Sequence, residues 1–207
     1  MSSSVAMAAV ALEARDPSGL VTLTRAAMRG DRKSLERLLP RLTRRMFRTA
    51  HGVLGRREDA EDVTQEALVV LARTLGELRQ PDAVAAYADR IVLRMALRQR
   101  QRRAQTEVRT ESIDDHDRVV HLEASEPRGD DELALRQRVE RALELLDRLP
   151  SAQAEVILMR FVEGYTAAEV AAAEGVSVHT INSRVRLAKQ RLERFLSRAR
   201  MRGEGTP

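Results

Sequence analysis

The stretch GYTAAEVAAAEGVSVHTINSRVRLAKQRLERFL, Gly164 to Leu196, decides the fold. Thr166 followed three residues later by Glu169 has the spacing of a capping box, so a helix starts there. Gly175 ends that helix, because glycine takes the left-handed conformation of a helix C-terminus without a Cβ penalty. Ser177 is a good N-cap for a second helix, whose Ile181, Val185, Ala188 and Leu192 recur at helical spacing as a buried face. Ala171 is a small residue where the two helices must cross closely. These are the requirements of a helix-turn-helix. The outward positions of the second helix are His179, Thr180, Asn182, Ser183, Arg186 and Lys189, which offer donors and cations for base edges and phosphates, and Arg184 of the same helix is a further candidate for DNA contact. Asn182, Ser183 and Arg186 share one exposed face and carry the reading; His179 alone would carry little. The bland alternative is a helical hairpin with a basic solvated face.

Upstream, Leu135, Val139, Ala142, Leu143, Leu146 and Leu149 form an amphipathic stripe that Pro150 ends. A further helix starts near Ser151 and runs through Val156, Ile157, Met159 and Phe161 to Gly164. Before these, Ala104 to Asp131 has no helical period and holds nine acids against three arginines. It reads as a flexible acidic linker. Helical pattern also runs from Leu20 to about Arg103, with natural breaks at Gly30-Asp31, Gly55 and Gln80-Pro81-Asp82. Within it, Ala60, Val63, Ala67, Leu71 and Leu78 make one buried stripe. Glu58, Asp62 and Glu66 lie on another face, where compensation of the helix dipole explains Glu58 and Asp59 but not Glu66. The expected fold is all-α, with two small helical domains joined by the linker. Residues 1–20 are expected to be poorly ordered, 21–103 to form the first domain, 104–131 the linker, 132–199 the second domain and 200–207 a tail.

Charge along the 207 residues says more than the net +5. Arg32 to Arg57 holds nine basic residues and one acid, whereas Glu58 to Glu66 holds five acids and no base. Arg90 to Arg103 has six arginines and no acid, and Val178 to Pro207 has eight bases and two acids. Basic segments separated by acidic ones point to two polyanion-binding surfaces rather than one uniformly sticky protein; solvated helix faces are the plainer reading. With no cysteine there is no disulfide framework, thiolate metal site or cysteine nucleophile. Four scattered histidines without an HExxH, Walker or glycine-rich phosphate loop give no catalytic constellation. The paired acids Glu58/Asp59 and Glu61/Asp62 sit at a helix start and suit capping or docking better than metal. No enzyme activity, cofactor or metal is expected. The N-terminus lacks the basic start of a signal peptide, and no apolar run approaches the roughly 20 residues of a membrane span. A soluble cytoplasmic protein with no membrane partner is the expectation.

Two motifs in order resemble a known family. VLGRREDAEDVTQEALVVLARTL, Val53 to Leu75, is similar to the conserved region 2 helix of the sigma-70 family of RNA polymerase sigma factors. LDRLPSAQAEVILMRFVEGYTAAEVAAAEGVSVHTINSRVRLAKQRL, Leu146 to Leu192, is similar to region 4. The chain resembles the compact extracytoplasmic-function (ECF) group over roughly Met28 to Ser197. The resemblance implies promoter-specific transcription initiation with core RNA polymerase. It implies that Asp59, Asp62, Gln65 and Glu66 dock on the β′ coiled coil. The arginine-rich helix after Pro81, with Tyr87, Arg90, Arg94 and Arg98, would meet the −10 element. Region 4 would bind the β flap and read the −35 element, and the acidic linker would thread the polymerase interior. An anti-sigma factor is a further implied partner. The chain departs from its relatives in having Tyr87 where Trp is usual, Arg94 and Arg98 where Asn and Asp are common, and Leu187 at a position often basic. The alternative is a LuxR-type or other helix-turn-helix regulator. Against it, no receiver domain of alternating strands and helices precedes the motif, and DAEDVTQEA would be left unexplained.

Overall fold

Short-range signals place most helix ends. In the computed structural model, which describes residues 17–110 and 130–201, α1 spans Pro17–Met28, α2 Arg32–Leu54 and α3 Arg57–Thr74. Asp31 caps α2 by accepting from the Lys33 backbone N–H, and Gly55 ends it at a left-handed φ of 73°. Two 3-10 turns, Leu75–Glu77 and Pro81–Ala83, lead into α4, Val84–Thr110. The second half contains α5 (Asp130–Asp147), α6 (Ser151–Ile157), a π turn at Leu158–Val162, α7 (Ala167–Glu174) and α8 (Val178–Met201). No strand occurs among the described residues. Pro40 lies inside α2 without ending it, although it cannot donate a hydrogen bond to the preceding turn.

The expected domain edges shift. Helix α1 begins at Pro17, inside the expected 1–20 stretch, and α8 continues into the expected tail as far as Met201. Helix α4 continues to Thr110 and α5 starts at Asp130, so both ends of the expected linker are helical. The remainder of that linker, 111–129, lies outside the described residues, as do 1–16 and 202–207.

With so few aromatic residues, the interior is aliphatic and small. Leu38, Leu42 and Met46 of α2, Ala60, Val63, Ala67 and Leu71 of α3, and Val84, Ala88, Val92, Leu93, Ala96 and Leu97 of α4 are buried. Alanines at helix crossings let the backbones approach, and leucines fill the space between. In the second half, Leu143 and Leu146 of α5 and Leu149 just after it are buried in one core with Ala154, Val156 and Met159 and with Val170, Ala171, Ile181 and Ala188 of the helix-turn-helix. The expected α5 stripe is buried only in its last two turns, since Leu135 and Val139 are exposed. The two halves share a continuous core. Helix α4 packs on α6, α7 and the π turn, and α7 also meets the Pro81–Ala83 turn.

Candidate nucleic-acid interface

The helix-turn-helix is built by the residues that announce it. The Thr166 hydroxyl accepts from the Glu169 backbone N–H at 3.2 Å, and the Glu169 carboxylate accepts from the Thr166 N–H at 2.7 Å. Gly175 adopts φ 68° and donates back to the Ala171 carbonyl, with Ala171 buried at the crossing. The Ser177 hydroxyl accepts from the Thr180 N–H at 3.1 Å and fixes the start of α8. Ile181 and Ala188 are fully buried, with Val185 and Leu192 half-buried beside them. The same rotation turns His179, Asn182, Arg186 and Lys189 to solvent, while Thr180 and Ser183 stand half-buried at the edge. Thr180 shares a hydroxyl contact of 2.9 Å with Ser177. Arg184, expected among the DNA contacts, is turned toward α7 instead. It pairs with Glu174 of α7, whose side chain is nearly buried, and so ties the two helices of the motif together. Lys189 lies 4.9 Å above the Phe161 ring. Leu187 is exposed, as is Val178 at the start of the helix.

The acidic face of α3 presents Asp62, Gln65 and Glu66 to solvent. Asp59 departs from them. It is buried against α4, where Arg103 pairs with it and Gln99 donates to it at 3.3 Å. Val69, 50% exposed, falls among Asp62, Gln65 and Glu66 at helical spacing, and Val70 beside it is also exposed. Sequence reasoning missed this apolar element. Its signal was two valines off the buried Ala60–Leu71 stripe.

Helix α4 holds the largest difference from expectation. The Tyr87 ring is buried, its hydroxyl donates to the Thr74 carbonyl at 3.2 Å, and the Arg90 guanidinium covers its face at 5.0 Å. It is unavailable for stacking in this arrangement. Arg94 grips Glu155 of α6 through two nitrogens at 3.1 and 3.3 Å. Arg100 reaches Asp147 and Glu140 of α5, each at 2.8 Å. Arg98 is exposed. Further ties join α2, α4 and the segment after the π turn. Asp89, with no exposed surface, accepts from Arg45 at 2.6 Å and from the Tyr165 hydroxyl at 2.8 Å. Glu163 accepts from Thr49 at 3.0 Å and lies 3.5 Å from Arg45. Burial pushes the Asp89 carboxyl up to about 6 against the pull of Arg45, and burial likewise raises Glu155 and Asp147 against Arg94 and Arg100. Four acids of the second half thus occupy arginines of the first. Among the described residues no group of three potential metal ligands is present.

Two family models match: "Sigma-70 region 2" over residues 35–106 and "Sigma-70, region 4" over residues 139–192. The ECF RNA polymerase sigma factor SigM of Mycobacterium tuberculosis (strain Erdman) is 31% identical over 91% of this chain and 90% of its own length. The chain belongs to the ECF sigma factors. SigE of Mycolicibacterium smegmatis, another ECF sigma factor, is 26% identical over 88% of this chain and 69% of its own length. The solved structure of CnrH in complex with the cytosolic domain of CnrY shares the fold, with a TM-score of 0.50 at 20% identity over 86% of this chain and 97% of that one. This sigma factor directs transcription initiation, and sigma factors are non-catalytic initiation factors. A helix-turn-helix regulator outside the family would leave the region 2 match over residues 35–106 unexplained. Among the described residues no helix is long and apolar enough to cross a membrane.

Proposed function

We propose that this sigma factor binds core RNA polymerase through the α3 face bearing Asp62, Gln65, Glu66 and Val69, and reads the −35 element through Asn182, Ser183 and Arg186 of α8. The observation that carries the reading is the doubly capped helix-turn-helix, whose outer face keeps His179, Asn182, Arg186 and Lys189 in solvent. The α3 face suits the basic β′ coiled coil, because three polar side chains surround an exposed valine that supplies apolar contact. The exposed Phe161 and Val162 on the π turn suit the β flap. CnrH is bound by the cytosolic domain of CnrY; by analogy an anti-sigma factor is a partner for this chain.

The −10 element falls to α4, with a condition attached. Arg94 cannot hold Glu155 and a phosphate at once, so Arg94 engages DNA only after the two halves separate. Core polymerase drives that separation if it binds each half at its own site. Arg98, already exposed, makes the first contact, and Arg90 and Arg94 follow. The direct test uses purified core enzyme, this chain and promoter fragments. Specific initiation by core plus this chain supports the proposal; promoter binding with core left inactive contradicts it.

A further inference from the structure

The first half carries a second row of cations that neither the −10 nor the −35 reading uses. Arg37, Arg41, Arg44 and Arg48 of α2 are all exposed. At about 100° per residue they fall within an arc of about 60°, in a row about 16 Å long. The row lies opposite the face that buries Leu38, Leu42, Met46, Thr49 and Val53. Among the described residues none of the four side chains has an ion pair or hydrogen bond. The one nearby acid on this helix, Glu36, is held by Arg32 at 3.0 Å. Several other arginines of the first half are neutralised: Arg45 by Asp89, Arg94 by Glu155, Arg100 by Glu140 and Asp147, and Arg103 by Asp59. The four α2 arginines have no acid along the row, although like charges at i, i+4 repel and weaken the helix.

The chemistry of the row selects the partner. Each guanidinium can hold a phosphate through two parallel N–H donors. Steps of four, three and four residues space the cations by about 4.5–6 Å along the axis, and duplex DNA offers one charge per about 1.7 Å of its length. A protein partner would need an apolar anchor, and the exposed large apolar side chains all lie off α2. An amphipathic membrane helix would need a free apolar face, and that of α2 is buried in the core. We propose that Arg37, Arg41, Arg44 and Arg48 form a sequence-independent site for the phosphate backbone of duplex DNA, available while the two halves remain packed together. The closed chain then holds DNA through α2 before α4 is released. This site is separate from the promoter-reading residues and rests on none of them.

The test is binding of the full chain, without polymerase, to a fluorescent duplex of random sequence across a range of salt. Replacing the four arginines by glutamine (R37Q, R41Q, R44Q, R48Q) should make the slope of log affinity against log salt shallower by about 3 to 4, at about 0.9 per phosphate. The lysine quadruple variant should keep the slope. Because the row is exposed and self-repelling, the glutamine variant should melt at the same or a higher temperature. The chain has no cysteine, so cysteine pairs placed on α2 and α8 take spin labels selectively; their separation should stay fixed as the random duplex binds. An unchanged salt slope in the glutamine variant overturns the site. So does a loss confined to core polymerase binding, which would make the partner an acidic protein surface. Separation of the labels on random DNA overturns its availability in the closed form. Promoter-directed initiation is a different readout, so failure here leaves the −35 reading standing.

Discussion

Arg186 and Arg184 sit two residues apart on one helix and do different work. Arg184 turns inward to Glu174, whereas Arg186 is free in solvent beside Asn182. Replacing Arg186 by alanine should weaken binding to a −35 duplex by about 1–3 kcal/mol, with a smaller loss on random duplex. Competition titrations check this, and equal losses on both DNAs would reduce Arg186 to a phosphate contact. Asp89 gives the residue-scale prediction for pH. It faces Arg45 and Tyr165 as donors and Glu163 as a like charge, and burial raises its pKa from the ordinary 3.8 to about 6. A raised acid stabilises the packed state fully below its ordinary value and loses that contribution as pH rises through about 6. The melting temperature of the wild type relative to Asp89→Asn should therefore climb as pH falls from 7.5 to 5.5. A pH-independent difference between the two would contradict the account of this carboxyl. Local residue signals such as Thr166, Gly175 and Ser177 were legible in the sequence because each acts on its own turn of backbone. The pairing of Arg184 was not, since the outward arc of a helix does not say which long side chain folds back.

Helices were legible at the element scale where period and punctuation agree, as at Gly30-Asp31, Gly55 and Pro81. Their ends were less so. The arginines at the end of α4 read as the edge of a linker, yet Arg100 and Arg103 find acids on α5 and α3, and the helix continues to Thr110. The stripe from Leu135 to Leu149 read as one amphipathic face, but helical period marks an apolar face and not whether anything covers it; Leu135 and Val139 stay exposed. Asp59 shows the same limit on α3. It shares the acidic run with Asp62 and Glu66, and only its contact with Arg103 and Gln99 separates a structural acid from the two exposed ones. Asp62→Ala with Glu66→Ala should therefore impair capture of core polymerase and leave the fold intact, because both side chains are exposed. Pull-down with core enzyme and binding of the variant to −35 DNA check this together. Undiminished capture would remove these acids from the interface. Asp59→Ala should instead lower the melting temperature, since it removes the buried carboxylate that ties α3 to Arg103 and Gln99 of α4.

At the scale of the whole molecule, the α4 arginines that sequence marks for DNA are held by acids from the other half. Arg94 and Glu155 are 61 residues apart, and Arg100 and Asp147 are 47 apart. No local pattern connects such partners, so the charge map shows cations and anions without showing that they meet. On the proposed −10 reading, acids stand where phosphates would stand, and the partly buried pairs disfavour opening until a partner offers each half something better. Replacing Glu155 and Glu163 by glutamine should loosen the packing and raise affinity for single-stranded −10 DNA in the absence of polymerase. Spin-label distances and DNA titration read this out, and an unchanged distance distribution would show that the apolar core alone keeps the halves together. The central claim, that two helical halves act jointly to place and open promoters, is tested most directly by transcription from purified components. Core polymerase with the wild-type chain should yield a specific transcript that disappears with Asp62→Ala/Glu66→Ala and, separately, with Arg186→Ala on promoters dependent on their −35 element. A specific transcript that survives both changes would contradict it.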